Sequence, residues 1–141
     1  QLGFRQFRDC CAGVLQGDQL LSGTIADNIT LFAENVDHER LEQVAAMADI
    51  AELVDRLPMG YNSLIGDMGS IMSAGQGQRI LLARAFYKQA PFVFLDEATA
   101  NLDADTEARI LRQLRSLKAT IVFVTHRPAP LEMADRVIRL G

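Results

Sequence analysis

Two adjacent carboxylates, Asp96 and Glu97, end the apolar run of residues 92–95, the pattern expected of a strand buried on both faces that delivers charge at its tip. An isolated buried carboxylate pair is costly and tends to take up a proton. The pair therefore belongs at a sheet edge, facing a cation, a water or a phosphate. Three other polar groups stand in similar settings. Gln16 follows the apolar run of residues 12–15, His126 closes the strand-like TIVFVTH, and Ser73 opens SAGQGQR at the start of a helical pattern. Each alone has an ordinary explanation, whether a polar stop, a polar cap or a serine-capped helix. Parallel strands tipped by Gln16, Asp96 and His126 would bring these groups to one carboxyl edge, where open α/β sheets bind ligands.

The elements that must position them follow from periodicity. Residues 4–16 run from mixed charge into an apolar strand. Residues 18–22 read as a turn, followed by a loop leading into a short helix. Residues 37–57 have helical spacing in two parts, with Leu41, Val44, Ala45 and Ala48 on one face and Ile50, Leu53, Val54 and Leu57 continuing it. Asp37 and Asp49 are expected as the two N-caps, and Pro58 and Gly60 end the pattern. A further helix over 106–117 carries Ile110, Leu111, Leu114 and Leu117 on one stripe, with Asp103 or Asp105 as its cap and Arg109, Arg112 and Arg115 as a solvated face. Residues 119–125 form a second buried strand, 131–134 one helical turn, and 137–140 a last short strand. Strands alternating with helices imply a parallel sheet with helices packed on it.

The 141 residues suffice for one domain with a core, and 49% hydrophobic with 23% charged residues is ordinary globular composition. No apolar run approaches the roughly 18 residues of a membrane-spanning helix. The formal net charge of −4 gives no general attraction for nucleic acid or anionic lipid. The two cysteines, Cys10 and Cys11, are adjacent and expected as reduced thiols at the start of a buried strand. Metal ligation would need a second pair. The first residue is Gln rather than Met, which suggests a piece of something longer.

The order and spacing of AGVLQ, SAGQGQR, PFVFLDEATANLD and TIVFVTH resemble the nucleotide-binding domain of an ABC transporter from its Q-loop to its H-loop, over nearly the whole chain. That resemblance implies an α/β fold, a RecA-like P-loop NTPase core incomplete on its N-terminal side, with an inserted α-helical subdomain. Residues 1–17 and 91–141 would be core, and 18–90 the helical signature subdomain. It implies ATP and Mg2+ as ligands. Glu97 would be the general base, Asp96 would hold the magnesium through its water shell, Gln16 would reach both the magnesium and the attacking water, and His126 would contact the terminal phosphate. Ser73, Gly75 and Gln76, with Ala74 where the family has Gly, would meet the ATP of an opposite subunit, and Asp103 would lie in the D-loop that crosses to it.

The segment L-x-x-G-T-I-x-x-N-I resembles the exporter segment that meets transmembrane coupling helices. IGDMG at 65–69, with Asp67 where Glu is usual, resembles the exporter x-loop. The implied partners are a second nucleotide-binding domain in a head-to-tail dimer and transmembrane domains, with no nucleic acid. The implied place is the cytoplasmic face of a bacterial inner membrane, and the implied cargo is a peptide, bacteriocin or toxin, as in colicin V-type exporters. A soluble ABC-type ATPase acting on nucleic acid or ribosomes, or a non-catalytic dimerisation fragment, are the competing readings. No G-x-x-x-x-G-K-[ST] phosphate-binding loop occurs in the sequence. The resemblance places the missing strand between the one ending near His126 and the last, which would leave two exposed strand edges.

Overall fold

The computed structural model of the chain describes residues 3–65 and 72–141. A short helix α1 (Phe4–Asp9) precedes strand β1 (Cys11–Val14), where an apolar strand with a charged lead-in was expected. The lead-in is helical because its four polar residues and two exposed phenylalanines have no ladder to join. Gly3 N–H donates to the Gln6 side chain (3.1 Å) at its start. Both cysteines are free and half-buried. Lys88 bonds the carbonyls of Arg8 and Cys11, tying this segment to the helical part of the chain.

β1 pairs in parallel with β4 (Phe92–Asp96), which pairs in parallel with β5 (Thr120–Val124), giving the order β1-β4-β5. Between β1 and β4 lie β2 (Gly23–Thr24), α2 (Ile25–Thr30), α3 (His38–Met47), α4 (Ala51–Arg56), β3 (Leu64–Ile65) and α5 (Ala74–Tyr87). β2 and β3 form a small antiparallel pair. After β4 come α6 (Ala104–Ser116) and, beyond β5, α7 (Pro128–Met133). α5 is the hub, packing on α2, α3 and β1, and its Ile80, Leu82 and Ala83 are fully buried. The resemblance to the exporter x-loop falls mostly on residues 66–71, outside the described residues.

Among the described residues, the sheet is covered on one face only. Val93 and Leu95 point into the core, but Phe92 and Phe94 are 44% and 37% exposed, and Val122 and Val124 of β5 are exposed beside them. β4 and β5 are therefore not the doubly buried strands their apolar runs suggest, because among the described residues the helices pack on a single side. Residues 137–140 form no strand, and Ile138 and Leu140 are exposed. With no described strand between that segment and β5, its backbone has no ladder to join.

Two polar anchors hold the helical part. The first is Asn28, completely buried in α2. Its amide accepts from Leu21 N–H (2.7 Å) and donates to the carbonyls of Leu21 (2.9 Å) and Thr24 (3.0 Å). Arg84 of α5 donates to its carbonyl (2.7 Å) and to its side-chain oxygen (3.0 Å). Burial pulls the Arg84 guanidinium below its ordinary pKa, an effect that Asp18 partly opposes.

The second anchor is Asp49, which is not the N-cap of α4; Ile50 occupies that position without a side-chain bond. Asp49 instead takes the left-handed turn after α3 (φ 60), and Ile50 N–H donates to Ala45 O and Asp49 N–H to Ala46 O to close the helix end. Its carboxylate receives Arg109 of α6 at 3.2 and 2.9 Å, while Arg79 of α5 donates to its carbonyl at 2.5 Å. Arg109 is thus part of a bridge rather than a purely solvated face, and the bond to Asp49 raises its pKa. Asp37 caps α3 as expected, accepting from Arg40 N–H.

Asn28→Ala empties a fully buried site and removes its bonds with Leu21 and Thr24 and one from Arg84. It is expected to lower stability by about 2–3 kcal/mol in urea unfolding. A loss below about 0.5 kcal/mol would show that the Asn28 network carries no net stability.

Candidate functional site

Parallel register brings the three strand ends level. Val14 lies beside Leu95, and Asp96 beside Val124. Beyond β1 the chain turns at Gln16–Gly17, with Leu15 N–H donating to the Asp18 carboxylate (2.8 Å) and Gly17 supplying a φ of 88. Beyond β4, Glu97 adopts φ 52, and its N–H donates to Val124 O at 2.8 Å. A non-glycine residue in this region is uncommon and is held there by its surroundings.

A cleft of about 390 Å³ opens at this edge, and Gln16, Asp96 and Glu97 share its walls with Gly77, Gln78 and Asn101. His126, two residues past β5, is almost fully solvent-exposed. Its Nε2 stands 3.7 Å from a Glu97 carboxylate oxygen, which is ion-pair range when the imidazole is protonated and too long for a hydrogen bond. The four groups from distant parts of the sequence thus converge on one rim. Among the described residues, no three His, Cys, Asp or Glu side chains cluster as a metal cage. Asp96 and Gln16 nevertheless offer a carboxylate and an amide oxygen on one cleft. Those are the hard donors magnesium takes alongside water and phosphate oxygens, so the residues present fit that ion.

Ser73 caps α5. Its hydroxyl accepts from Gln76 N–H (3.1 Å), and the Gln76 side chain accepts from Ser73 N–H (3.0 Å). The 14-residue helix behind this capping box adds a positive dipole end. Ala74 is its first helical residue, an ordinary conformation for an L side chain. Gly75 is different, since a Cβ there would sit 2.9 Å from Asn101 O. The glycine lets α5 touch the loop between β4 and α6. Ser73, Gly75 and Gln76 do not line the cleft itself, although Ala74, Gly77 and Gln78 do. Asp103 caps α6, accepting from Thr106 N–H (3.2 Å), and hydrogen bonding from the Thr106 side chain first, then from its N–H, with a smaller contribution from Arg109, pulls its carboxyl below the usual value.

The loop between β4 and α6 is gripped by residues the sequence reading did not single out. Gln78 donates to Glu97 O (3.1 Å) and accepts from Asn101 N–H (2.9 Å). Arg127 donates to Ala100 O and Leu102 O (3.1 Å each) and pairs at 2.7 Å with Glu107, which is 3% exposed. Glu107 could have been found, because it lies on the stripe with Ile110, Leu111 and Leu114, where a carboxylate needs a partner. Arg127 carries no such signal, since its partners are loop carbonyls.

A sequence model of the ABC transporter matches residues 4–100. The chain belongs to the ABC transporter family. It is 39% identical over 99% of its length to a probable microcin-H47 secretion/processing ATP-binding protein of Escherichia coli. It is equally similar, over the same share, to a colicin V secretion/processing ATP-binding protein of the same organism. A solved bacterial Atm1-family ABC exporter with ATP bound superposes with a TM-score of 0.81 at 33% identity, over 87% of this chain and 22% of that one. The chain spans about a fifth of the length of these relatives. Its fold is accordingly a fragment of the ABC-type P-loop NTPase core with its parallel sheet.

Gly75→Ala is expected to push the Asn101 carbonyl away and cost about 1–3 kcal/mol, whereas Ala74→Gly should cost no more than about 1 kcal/mol of helix propensity. Thermal unfolding of the two variants side by side checks the order. Equal midpoints would contradict the close approach at Gly75.

Proposed function

We propose that the chain is part of the ATP-binding domain of an ABC exporter that couples ATP hydrolysis to movement of a peptide, bacteriocin or toxin across a bacterial inner membrane, from its cytoplasmic face. The observation that carries the reading is the Glu97 carboxylate beside the His126 imidazole, on a rim shared with Gln16 and Asp96. Glu97 takes a proton from the water that attacks the terminal phosphate, and His126 holds that phosphate and Glu97 in line. Asp96 and Gln16 would hold magnesium, which when bound neutralises phosphate charge. Ser73, Gly75 and Gln76 offer backbone N–H groups and a dipole end to the ATP of a second nucleotide-binding domain, and Asp103 lies in the loop that crosses to it.

In this reading residues 1–17 and 91–141 are core and 18–90 an insert. What supports the division is that β1, β4 and β5 pair in one sheet while α2 to α5 intervene between β1 and β4. The direction and cargo draw their support from likeness to secretion proteins for microcin H47 and colicin V. Transmembrane domains, in the same polypeptide, are the second partner. Among the described residues no helix is long and apolar enough to cross a membrane.

The 141 residues lack G-x-x-x-x-G-K-[ST], the nest and lysine that cradle phosphates, so the chain alone binds ATP poorly and hydrolyses none. Isothermal titration of the isolated chain with Mg-ATP should give no micromolar binding, and a micromolar isotherm would refute this. In a full-length transporter carrying this sequence, Glu97→Gln should leave nucleotide binding largely intact and lower turnover by about two to four orders of magnitude. Unchanged phosphate release would place the base elsewhere.

A further inference from the structure

We propose that Gln78 is a positioning residue for the Glu97 carboxylate, through two hydrogen bonds that link the start of α5 to the turn after β4. The proposal rests on the assignment of Glu97 as general base.

Gln78 lies one helical turn inside α5, four residues after Ala74 and on the same side, where both border the cleft. Its amide orientation is fixed by its partners, since Glu97 O can only accept and Asn101 N–H can only donate. One side chain therefore satisfies both ends of the turn that carries the base. That turn needs holding. Glu97 has a left-handed φ of 52, and its carbonyl also receives the Ala100 N–H at 3.1 Å. The Glu97 N–H is pinned on the opposite side by Val124 O at 2.8 Å. With the N–H tied to β5 and the carbonyl tied to α5, the direction in which the side chain leaves the backbone is set, and it leads to His126. The loop is also held from behind by Arg127 at Ala100 and Leu102, so Gln78 supplies the grip on the cleft side.

The consequence is specific. Removing the amide leaves the Glu97 carboxylate present but frees its backbone from α5. A misplacement on the order of 1 Å at a reacting group lowers rate by about 100-fold. A carboxylate at this position could still accept from Asn101 N–H, but it would face the Glu97 carbonyl with an acceptor against an acceptor.

The test uses a full-length transporter carrying this sequence, assayed for phosphate release against ATP concentration. Gln78→Ala and the near-isosteric Gln78→Glu should each lower kcat about 10- to 100-fold, with KM for ATP changed less than about threefold. In a Glu97→Gln background, adding Gln78→Ala should lower the residual rate less than about threefold, because its effect runs through a base already removed. If Glu97→Gln is inactive while either folded Gln78 variant keeps the parent kcat, the proposal fails and the assignment of the base stands. An equal loss from Gln78→Ala in both backgrounds would also overturn it, as would a rise in KM without a fall in kcat. If Glu97→Gln alone leaves turnover unchanged, the assignment of the base is what fails. Thermal unfolding monitors folding throughout; should the alanine variant not fold, Gln78→Glu, alone and with Glu97→Gln, carries the same outcomes.

Discussion

Parallel pairing on both sides of β4 is the constraint from which the rest follows. Strands that run the same way end at the same edge, so the register that sets Val14 beside Leu95 and Asp96 beside Val124 also decides that Gln16, Asp96, Glu97 and His126 meet. No contact among those four is needed to gather them. Antiparallel pairing of either outer strand would send its polar tip to the far side of the sheet. The helices that link parallel strands are then the means of keeping this direction, and they bury Val93 and Leu95 as they do so.

Around that edge, polar side chains join segments that are far apart in sequence. Asn28 fixes the Leu21 loop and α5, Asp49 fixes the α3–α4 corner to α5 and α6, and Arg127 fixes β5 to the loop before α6. Each is a charged or amide group with several bonds, and all three reach α5 or the loop it touches through Gly75. Such networks specify one arrangement because a half-satisfied alternative strands buried donors. Apolar packing would bring the same helices together with less discrimination between neighbouring registers.

The strand tips, the helix stripes and the Ser73, Asp37 and Asp103 caps were legible in the sequence because each is a local pattern: a run that stops, a period of 3.6, a short polar residue before it. The convergence of Gln16, Asp96, Glu97 and His126 was legible because strands alternating with helices run parallel and so end at one edge. What periodicity does not encode is what lies across from a residue. Arg109 looks like any solvated arginine until Asp49 is placed opposite, and Asp49 looks like a cap until its backbone turns left-handed. Phe92 and Phe94 read as core because an apolar residue carries no mark of whether a second layer will cover it. Val137 to Leu140 read as strand for the same reason, since β propensity does not supply a neighbour.

The insertion of four helices between β1 and β4 has a kinetic side. Cys11 and Phe92 pair across about eighty residues of chain, a closure that costs on the order of 4 kcal/mol in an unstructured loop. The packing of α5 on α2 and α3 closes somewhat shorter loops, 56 residues for Arg84 and Asn28, and buries Ile25, Ile29, Leu41, Ile80 and Leu82. Collapse of that part first would shorten the effective tether and present β1 and β4 to each other as near neighbours. The meeting of Gln16 with Asp96 and Glu97 thus depends on how compactly the insert folds, whereas that of Glu97 with His126 does not, since only α6 and β5 lie between them.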